Sequence, residues 1–442
     1  MTSSPSPTSA ANPHRQVWAM AGPIILANIS VPLLGAVHTA VVGHLSEPYY
    51  LGAVAIGAML FNFIYHLFNC LRMGTTGPTA QARGAGDFAE VRTILARALL
   101  LAGAIGGLLV LLQLPILAAA LWLINASAEV ERYAGEYFRI RVWALPAVLG
   151  SYAIVGWLYG LRDARLPLLI LFVTNGVNIA LSLLFVIGFG WGVPGVAIAS
   201  LIAEYTGLAA GLLCVWRVLR SLPDDGRRSR VLDPARFARM LAINGDIVLR
   251  TFCVVSVLAI FMARSAELGD VQLAANQVLH TFLMFTSFGL DGFAHAAEAI
   301  LGESVGRRNR EAFRRNMRVV FLWAGLVAAL NAAVYVAAGP AIIALLTGIP
   351  EVRAAAETWL LWPALLPLVG VWAYTYDGVY LAATRTRIMR NTVLLSFLAF
   401  LLVLHLAMPV FGNAGLWGAL AVFLGLRGVL LHLFMPRVLQ SI

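Results

Sequence analysis

Twelve apolar segments of about 20 residues or more divide this 442-residue chain, each long enough to cross a hydrocarbon core of ~30 Å as a helix. They fall near residues 17–42, 51–79, 93–114, 133–161, 167–188, 195–217, 238–262, 272–301, 316–338, 355–384, 392–411 and 415–436. Lipid offers backbone groups no hydrogen-bond partners, so such runs close their bonds internally as helices. The expected fold class is an all-α polytopic membrane protein. Composition excludes a soluble domain: 60% of residues are hydrophobic, 12% are charged and the mean hydropathy is +0.84, whereas soluble domains carry about 25% charge. Three cysteines, Cys70, Cys214 and Cys253, are too few for a disulfide scaffold and read as buried helix residues.

Every one of the 31 basic residues is Arg. A nucleic-acid binder would gather them on one soluble face; here they occupy the short gaps between apolar runs. Alternate gaps hold Arg15; Arg83 and Arg92; Arg162 and Arg165; the series from Arg217 to Arg239; that from Arg307 to Arg318; Arg385, Arg387 and Arg390; and Arg437. The intervening gaps hold Arg132, Arg264 and Arg353. By the positive-inside rule both termini face the cytoplasm. Residues 1–16, rich in Pro and Ser, lack a charged signal-peptide region and read as a disordered cytoplasmic tail.

The two halves match. Leu145-Pro146-Ala147-Val148 returns as Leu366-Pro367-Leu368-Val369, and Gly195-Val196-Ala197 aligns with Gly415-Leu416-Trp417. Gln81-x-x-Gly84-x-x-Asp87 likewise matches Glu303-x-x-Gly306-x-x-Asn309. Six spans per half is an even number, so the repeats are parallel and the cavity between them is the expected substrate site. The expected organisation is two pseudo-symmetric six-helix lobes, residues 17–220 and 237–442, joined by a polar cytoplasmic linker at 221–236. One chain, a monomer, suffices for such a cavity.

An ionisable side chain at a helix centre costs ~2.5–3.5 kcal/mol on insertion scales, so each one needs a partner, water or a role. In the seventh span Asp246 and Arg250 lie four apart and are expected to pair. In the eighth, Asp291, His295 and Glu298 share one face. Their order departs from the Glu-x-x-His pattern of di-iron bundles, so no metal is expected. Carboxylates set close together in low dielectric repel, which suits proton carriage. Asp377 in the tenth span joins this set, whereas Glu204 reads as structural. The first half offers a stripe of Asn62, Tyr65, His66, Asn69 and Arg72, with Asn28, His38 and Asn178 on other spans. Such a stripe glues helices together or lines water. His38 is the sharpest candidate, because imidazole titrates near neutral pH. Pro23 and Pro32 bend the first span and are candidate gating positions. Tyr374 and Tyr376 are expected at the cavity, where aromatic faces suit a cation.

These segments resemble the multidrug and toxic compound extrusion (MATE) transporters, within them the DinF-type subfamily. The resemblance covers nearly the whole chain. It rests on LGAVHTAVVGHL (34–45), LRMGTTGPTAQARGAGD (71–87), GWLYGLRDARLPLL, GVAIASLIAEY, NGDIVLR (244–250), LDGFAHAAEA (290–299) and VWAYTYDGVYLAATRTRIMRN (371–391). It implies a V of two lobes in a bacterial cytoplasmic membrane, exporting amphiphilic and often cationic compounds in exchange for protons or sodium, with no cofactor and no enzymatic chemistry. His38 stands where the family usually carries Asp, and Ser182 where a second acid is common. Imidazole is a poor sodium ligand, so proton coupling is preferred. The expected coupling set is Asp246, Asp291, Glu298 and Asp377 with His38, and Arg250 is the charge partner. The expected cavity residues are Asn62, Tyr65, Asn69, Asn178, Tyr374 and Tyr376. A flippase for lipid-linked precursors would need several cavity cations, and the sequence offers Arg72, Arg250 and Arg427 against more numerous acids. An intramembrane enzyme around Asp291, His295 and Glu298 has no need of two matched lobes.

Overall fold

The computed structural model describes residues 12–42, 48–124, 127–223, 230–440 and 442, apart from the side chains of 31–42, 48, 49, 51, 123 and 124. The first half comprises α1 (Pro13–Val42), α2 (Pro48–Phe68), α3 (Cys70–Gly84), α4 (Phe88–Leu111), α5 (Gln113–Ile124), α6 (Ala128–Arg141), α7 (Leu145–Gly160), α8 (Arg165–Ser182) and α9 (Gly192–Ser221). The second comprises α10 (Pro234–Ala266), α11 (Asp270–Gly306), α12 (Arg310–Leu346), α13 (Pro350–Trp359), α14 (Leu361–Ala382), α15 (Thr386–Phe411) and α16 (Asn413–Gln440). Among the described residues nine helical stretches are long and apolar enough to span a membrane, and α13 with α14, bent by 42°, makes a tenth. α11 is long enough at 37 residues, but its polar groups keep it outside that set.

Helix starts follow local chemistry. Asp87 opens α4 by accepting from the Glu90 N–H at 2.9 Å, and Asn309 opens α12 by accepting from the Ala312 N–H at 2.8 Å. Asp233 accepts from the N–H groups of Ala235 and Arg236 ahead of Pro234 at the first turn of α10. Asp87 and Asn309 occupy equivalent places in the two halves, and the backbone repeats with them. Six of the eight left-handed residues among those described fall in pairs 222 positions apart: Gly86 and Arg308, Arg162 and Thr384, Gly190 and Gly412. Each follows a helix end and turns the chain there.

The apolar side chains form three cores. One, around Phe61, Tyr137, Phe138 and Val196, belongs to the first half, and one, around Phe261, Phe282, Phe400 and Trp417, to the second. The third joins both halves, taking Leu71, Ile94 and Trp157 from the first and Leu290, Phe293 and Tyr380 from the second. The halves are thus fused at the end carrying the Arg-rich loops and have separate cores toward the other. Glycines permit the fusion: Gly77 meets the Leu381 carbonyl, Gly84 that of Glu303, and Gly306 that of Gln81.

Candidate functional site: a cavity between the halves

A cavity of about 240 Å³ opens above the shared core. Its polar floor comes from both halves: His66 on α2, Asn69 at the α2–α3 break, Arg72 on α3, Arg250 on α10, Asp291 and His295 on α11, Tyr374 on α14 and Arg427 on α16. Its walls are mainly apolar, with Val254, Leu258, Met284, Phe288, Phe423 and Leu424.

Helix breaks and short hydrogen bonds set this floor. α2 ends at Phe68 and α3 begins at Cys70, so Asn69 sits at a joint, and its Oδ1 accepts from Arg72 Nε at 2.8 Å. Asp377, 4% exposed, lies just beneath and takes both Arg250 and Arg427 on its Oδ2 atom. Arg427 is 1% exposed, yet its Nε finds no acceptor among the described residues, nor does the Nε of Arg250. Arg72 and Asp291 make no ion pair among the described residues. His295 Nδ1 stands 3.7 Å from Glu298 Oε2, and Glu298 is buried behind it with Oε1 unpartnered. Among the described residues, no three His, Cys, Asp or Glu side chains converge as metal ligands would.

Several sequence expectations meet here: Arg250, Asn69, Asp291 and Tyr374 line the cavity, with Asp377 and Glu298 directly behind. Others need correction. Asp246 does not pair with Arg250. Its carboxylate accepts from Arg390 Nη1 at 2.7 Å and from Thr386 Oγ1 at 2.7 Å, both on or beside the start of α15, while Arg250 turns to Asp377 on α14. Spacing placed the two on one face of α10, but each found a nearer opposite partner on a different neighbouring helix. Tyr65 stays within the first half, its ring 5.8 Å from the Arg141 guanidinium, which also lies over Phe61 and Tyr137. Asn178, 1% exposed, ties α8 to α9 through Ser200 and accepts from Ser182 Oγ at 3.2 Å. Tyr376 points to the far side of α14, where its hydroxyl meets His432 Nδ1 at 2.6 Å. Asn62 is exposed, and the cavity lining on its helix begins one turn later, at His66. Pro23 lies half-buried in an α1 that runs unbroken from Pro13 to Val42. The expectations for His38 and Pro32 lie outside the described side chains. His66, Arg72, His295 and Arg427 line the cavity although the expected lining left them out; the available signals were the polar stripe of the second span for His66 and Arg72, the face shared with Asp291 for His295, and a lone charge in an apolar run for Arg427.

Asp246→Asn is therefore expected to lower stability by about 1 kcal/mol, since Arg390 is partly exposed and screened. Thermal unfolding of the detergent-purified variant checks this, and a transport defect with unchanged stability would contradict the structural role.

Below the cavity a second polar cluster ties the halves together. Glu303 on α11 accepts from Arg162 at 3.0 Å and from Arg307 at 2.5 Å, with Arg83 at 3.9 Å. Arg162 also donates to Gln16 Oε1 at 2.7 Å, and Gln81 Nε2 to the Ala382 carbonyl at 2.6 Å. Arg83 and Arg162 belong to the first half and Glu303 to the second, so this is a clasp between them.

Two matched helical halves, fused at one end and enclosing a polar-floored cavity, define a multi-pass membrane transporter rather than an enzyme. The MatE family matches residues 23–184 and again 247–407, one stretch in each half, and the chain belongs to that family of multidrug and toxic compound extrusion transporters. It is 42% identical over 415 residues to "DNA damage-inducible protein F" of Escherichia coli (strain K12), covering 94% of this chain and 90% of that protein, which places it in the DinF-type branch. It is 24% identical to "Probable multidrug resistance protein NorM" of Acinetobacter baylyi, over 96% of each chain. Its fold is similar to that in "Crystal structure of MATE in the bent conformation", with a TM-score of 0.86 at 18% identity over 98% of this chain and 96% of that one.

Proposed function

We propose that this chain is a secondary active exporter in a bacterial cytoplasmic membrane. It moves small amphiphilic compounds outward through the central cavity by alternating access between lobes 17–220 and 237–442, with 221–236 as the linker. The observation that carries this reading is the arrangement of cores: one shared core at the Arg-rich end, separate cores at the other. With that end and both termini cytoplasmic, the cavity is closed inward by the Glu303 clasp and faces outward. Releasing the clasp and closing the opposite end gives the inward-facing partner state. A single chain provides both lobes.

The cycle draws on the proton-motive force, and Asp291 is the group that gains and loses the proton. Asp291 lines the cavity, where it meets both water and substrate, and Glu298 lies two turns deeper toward the clasp. The sodium alternative rests on an N-lobe oxygen site that the His38 position does not supply.

Purified protein in liposomes with an internal pH dye tests this. An amphiphile is added under an imposed proton-motive force or a sodium gradient. Substrate-dependent pH change, lost in Asp291→Asn and retained in His38→Ala, is expected. A response to sodium alone would overturn proton coupling, and loss in His38→Ala alone would move coupling to the first lobe.

A further inference from the structure

We infer that the cavity takes an amphiphile whose polar end is anionic, a sulfonate, carboxylate or phosphate on an apolar body. This rests on the reading of the cavity as the substrate site and concerns the chemistry that site selects. Three guanidinium groups converge on the floor from three helices, Arg72 on α3, Arg250 on α10 and Arg427 on α16. Two carboxylates oppose them, and Asp377 spends one oxygen on two of the three. With Asp291 and Asp377 both ionised, one positive charge is left over among the three Arg and the carboxylates that line the cavity or pair with them; Glu298, behind His295, pairs with none of the three. The surplus has unused donors: among the described residues Arg72 bonds only Asn69, and the Nε groups of Arg250 and the fully buried Arg427 lack acceptors. Planar guanidinium forks suit the oxygens of a sulfonate, carboxylate or phosphate.

A cation fits this floor poorly. It would meet three like charges, with Asp291 the one carboxylate of the lining, which makes no ion pair among the described residues. Of the two aromatic rings expected for it, Tyr376 faces His432 instead of the cavity, and the ring of Phe423 in the lining already carries Arg427, 5.8 Å from the ring centre. The apolar wall of Val254, Leu258, Met284 and Phe288 accepts the body of either kind of amphiphile. The charge of the floor therefore selects, and the weighing made from sequence, acids over Arg, is reversed at the cavity itself.

Asp291 becomes the built-in rival of the substrate. Ionised, it opposes an incoming anion at Arg72 and Arg250; protonated, it yields them. This reverses the exchange by competition that a cationic substrate would show.

Equilibrium binding in nanodiscs tests the inference with three probes of similar body: 1-anilinonaphthalene-8-sulfonate, neutral N-phenyl-1-naphthylamine and a trimethylammonium derivative of the same ring system. The sulfonate is expected to bind about tenfold tighter than the neutral amine, and Arg72→Gln to remove that advantage while leaving the amine unchanged. Among the described residues Arg72 hydrogen-bonds only Asn69, one turn away, so this variant is expected to keep the fold, and Arg72→Lys to restore part of the preference. Asp291→Asn is expected to tighten the sulfonate, where a cation site would lose its ligand. Nanodiscs with and without phosphatidylglycerol separate two sources of the anionic group: displacement of the sulfonate by that lipid assigns the floor to a lipid head group, and no displacement to a free amphiphile. Tightest binding by the ammonium probe, abolished in Asp291→Asn, would overturn the inference and leave the transport reading standing. Failure of all three probes to bind or move would sink both.

Discussion

Asp377→Asn is expected to destabilise this protein by about 3–5 kcal/mol, the usual cost of removing one partner from a buried charge cluster. The side chain is 4% exposed and its Oδ2 is the shared acceptor of Arg250 and Arg427, the second of them 1% exposed. Asparagine keeps the volume and shape, so packing of α14 against α11 and α16 is unchanged and the loss is electrostatic. Two guanidinium groups then stand close together with no countercharge between them. Removing one of them along with the carboxylate relieves this. Asp377→Asn combined with Arg427→Gln is therefore expected to be more stable than Asp377→Asn alone, and a double-mutant cycle read by thermal unfolding gives the coupling. Stability within about 0.5 kcal/mol of wild type in the single variant would mean that water in the cavity, rather than Asp377, solvates the two cations. The structural and the ligand-binding roles of this cluster are linked. Asp377 holds Arg250 and Arg427 in place while leaving their Nε groups unsatisfied.

The sequence made the membrane class, the matched halves and the Arg-rich end legible because these depend on long-range averages: run length, loop charge, and motifs repeated at a fixed offset. The same offset reappears in the left-handed residues at Gly86 and Arg308, Arg162 and Thr384, and Gly190 and Gly412. Helix periodicity also grouped Asn69 with Arg72, and Asp291 with His295, correctly. It failed where a residue had to choose between neighbours. Asp246 and Arg250 share a stripe on α10, yet that stripe borders α15 at one turn and α14 a turn later, and each charge found its partner there. Tyr374 and Tyr376 differ by two positions, which on a helix is more than half a turn, so one lines the cavity and the other meets His432. The sequence offered Arg72, Arg250 and Arg427 as the intramembrane cations, but their convergence was hidden, because three residues on three helices carry no spacing that relates them. Local breaks were invisible too. Nothing in the apolar runs marked Asn69 as a joint, or the π-helical segment Leu183–Gly188 that follows α8.

Gly84→Ala and Gly306→Ala are expected to open the Arg-rich end of the molecule, each by the same means. A Cβ on Gly306 would collide with the carbonyl oxygen of Gln81, and one on Gly84 with that of Glu303. These are backbone atoms on the opposite half, so no side-chain rotation relieves the clash and the halves must separate. Separation also stretches the Glu303 clasp to Arg162 and Arg83, which adds to the shift. A bias of about 1.4 kcal/mol toward the open state raises its population relative to the closed one about tenfold. A thiol placed at Gln81, with Cys70, Cys214 and Cys253 replaced, reports this through its labelling rate by an impermeant maleimide in inside-out vesicles. Gly378→Ala supplies the control. Its Cβ would meet the Ala294 carbonyl just as closely, but α14 and α11 belong to the same half. That variant is expected to lose stability without faster labelling. If Gly306→Ala behaves like Gly378→Ala, the contact between the halves is static packing and the cavity does not open at this end. If Gly84→Ala and Gly306→Ala both speed labelling, the repeated motif is a hinge surface used by two matched lobes, and its glycines serve motion as well as close approach.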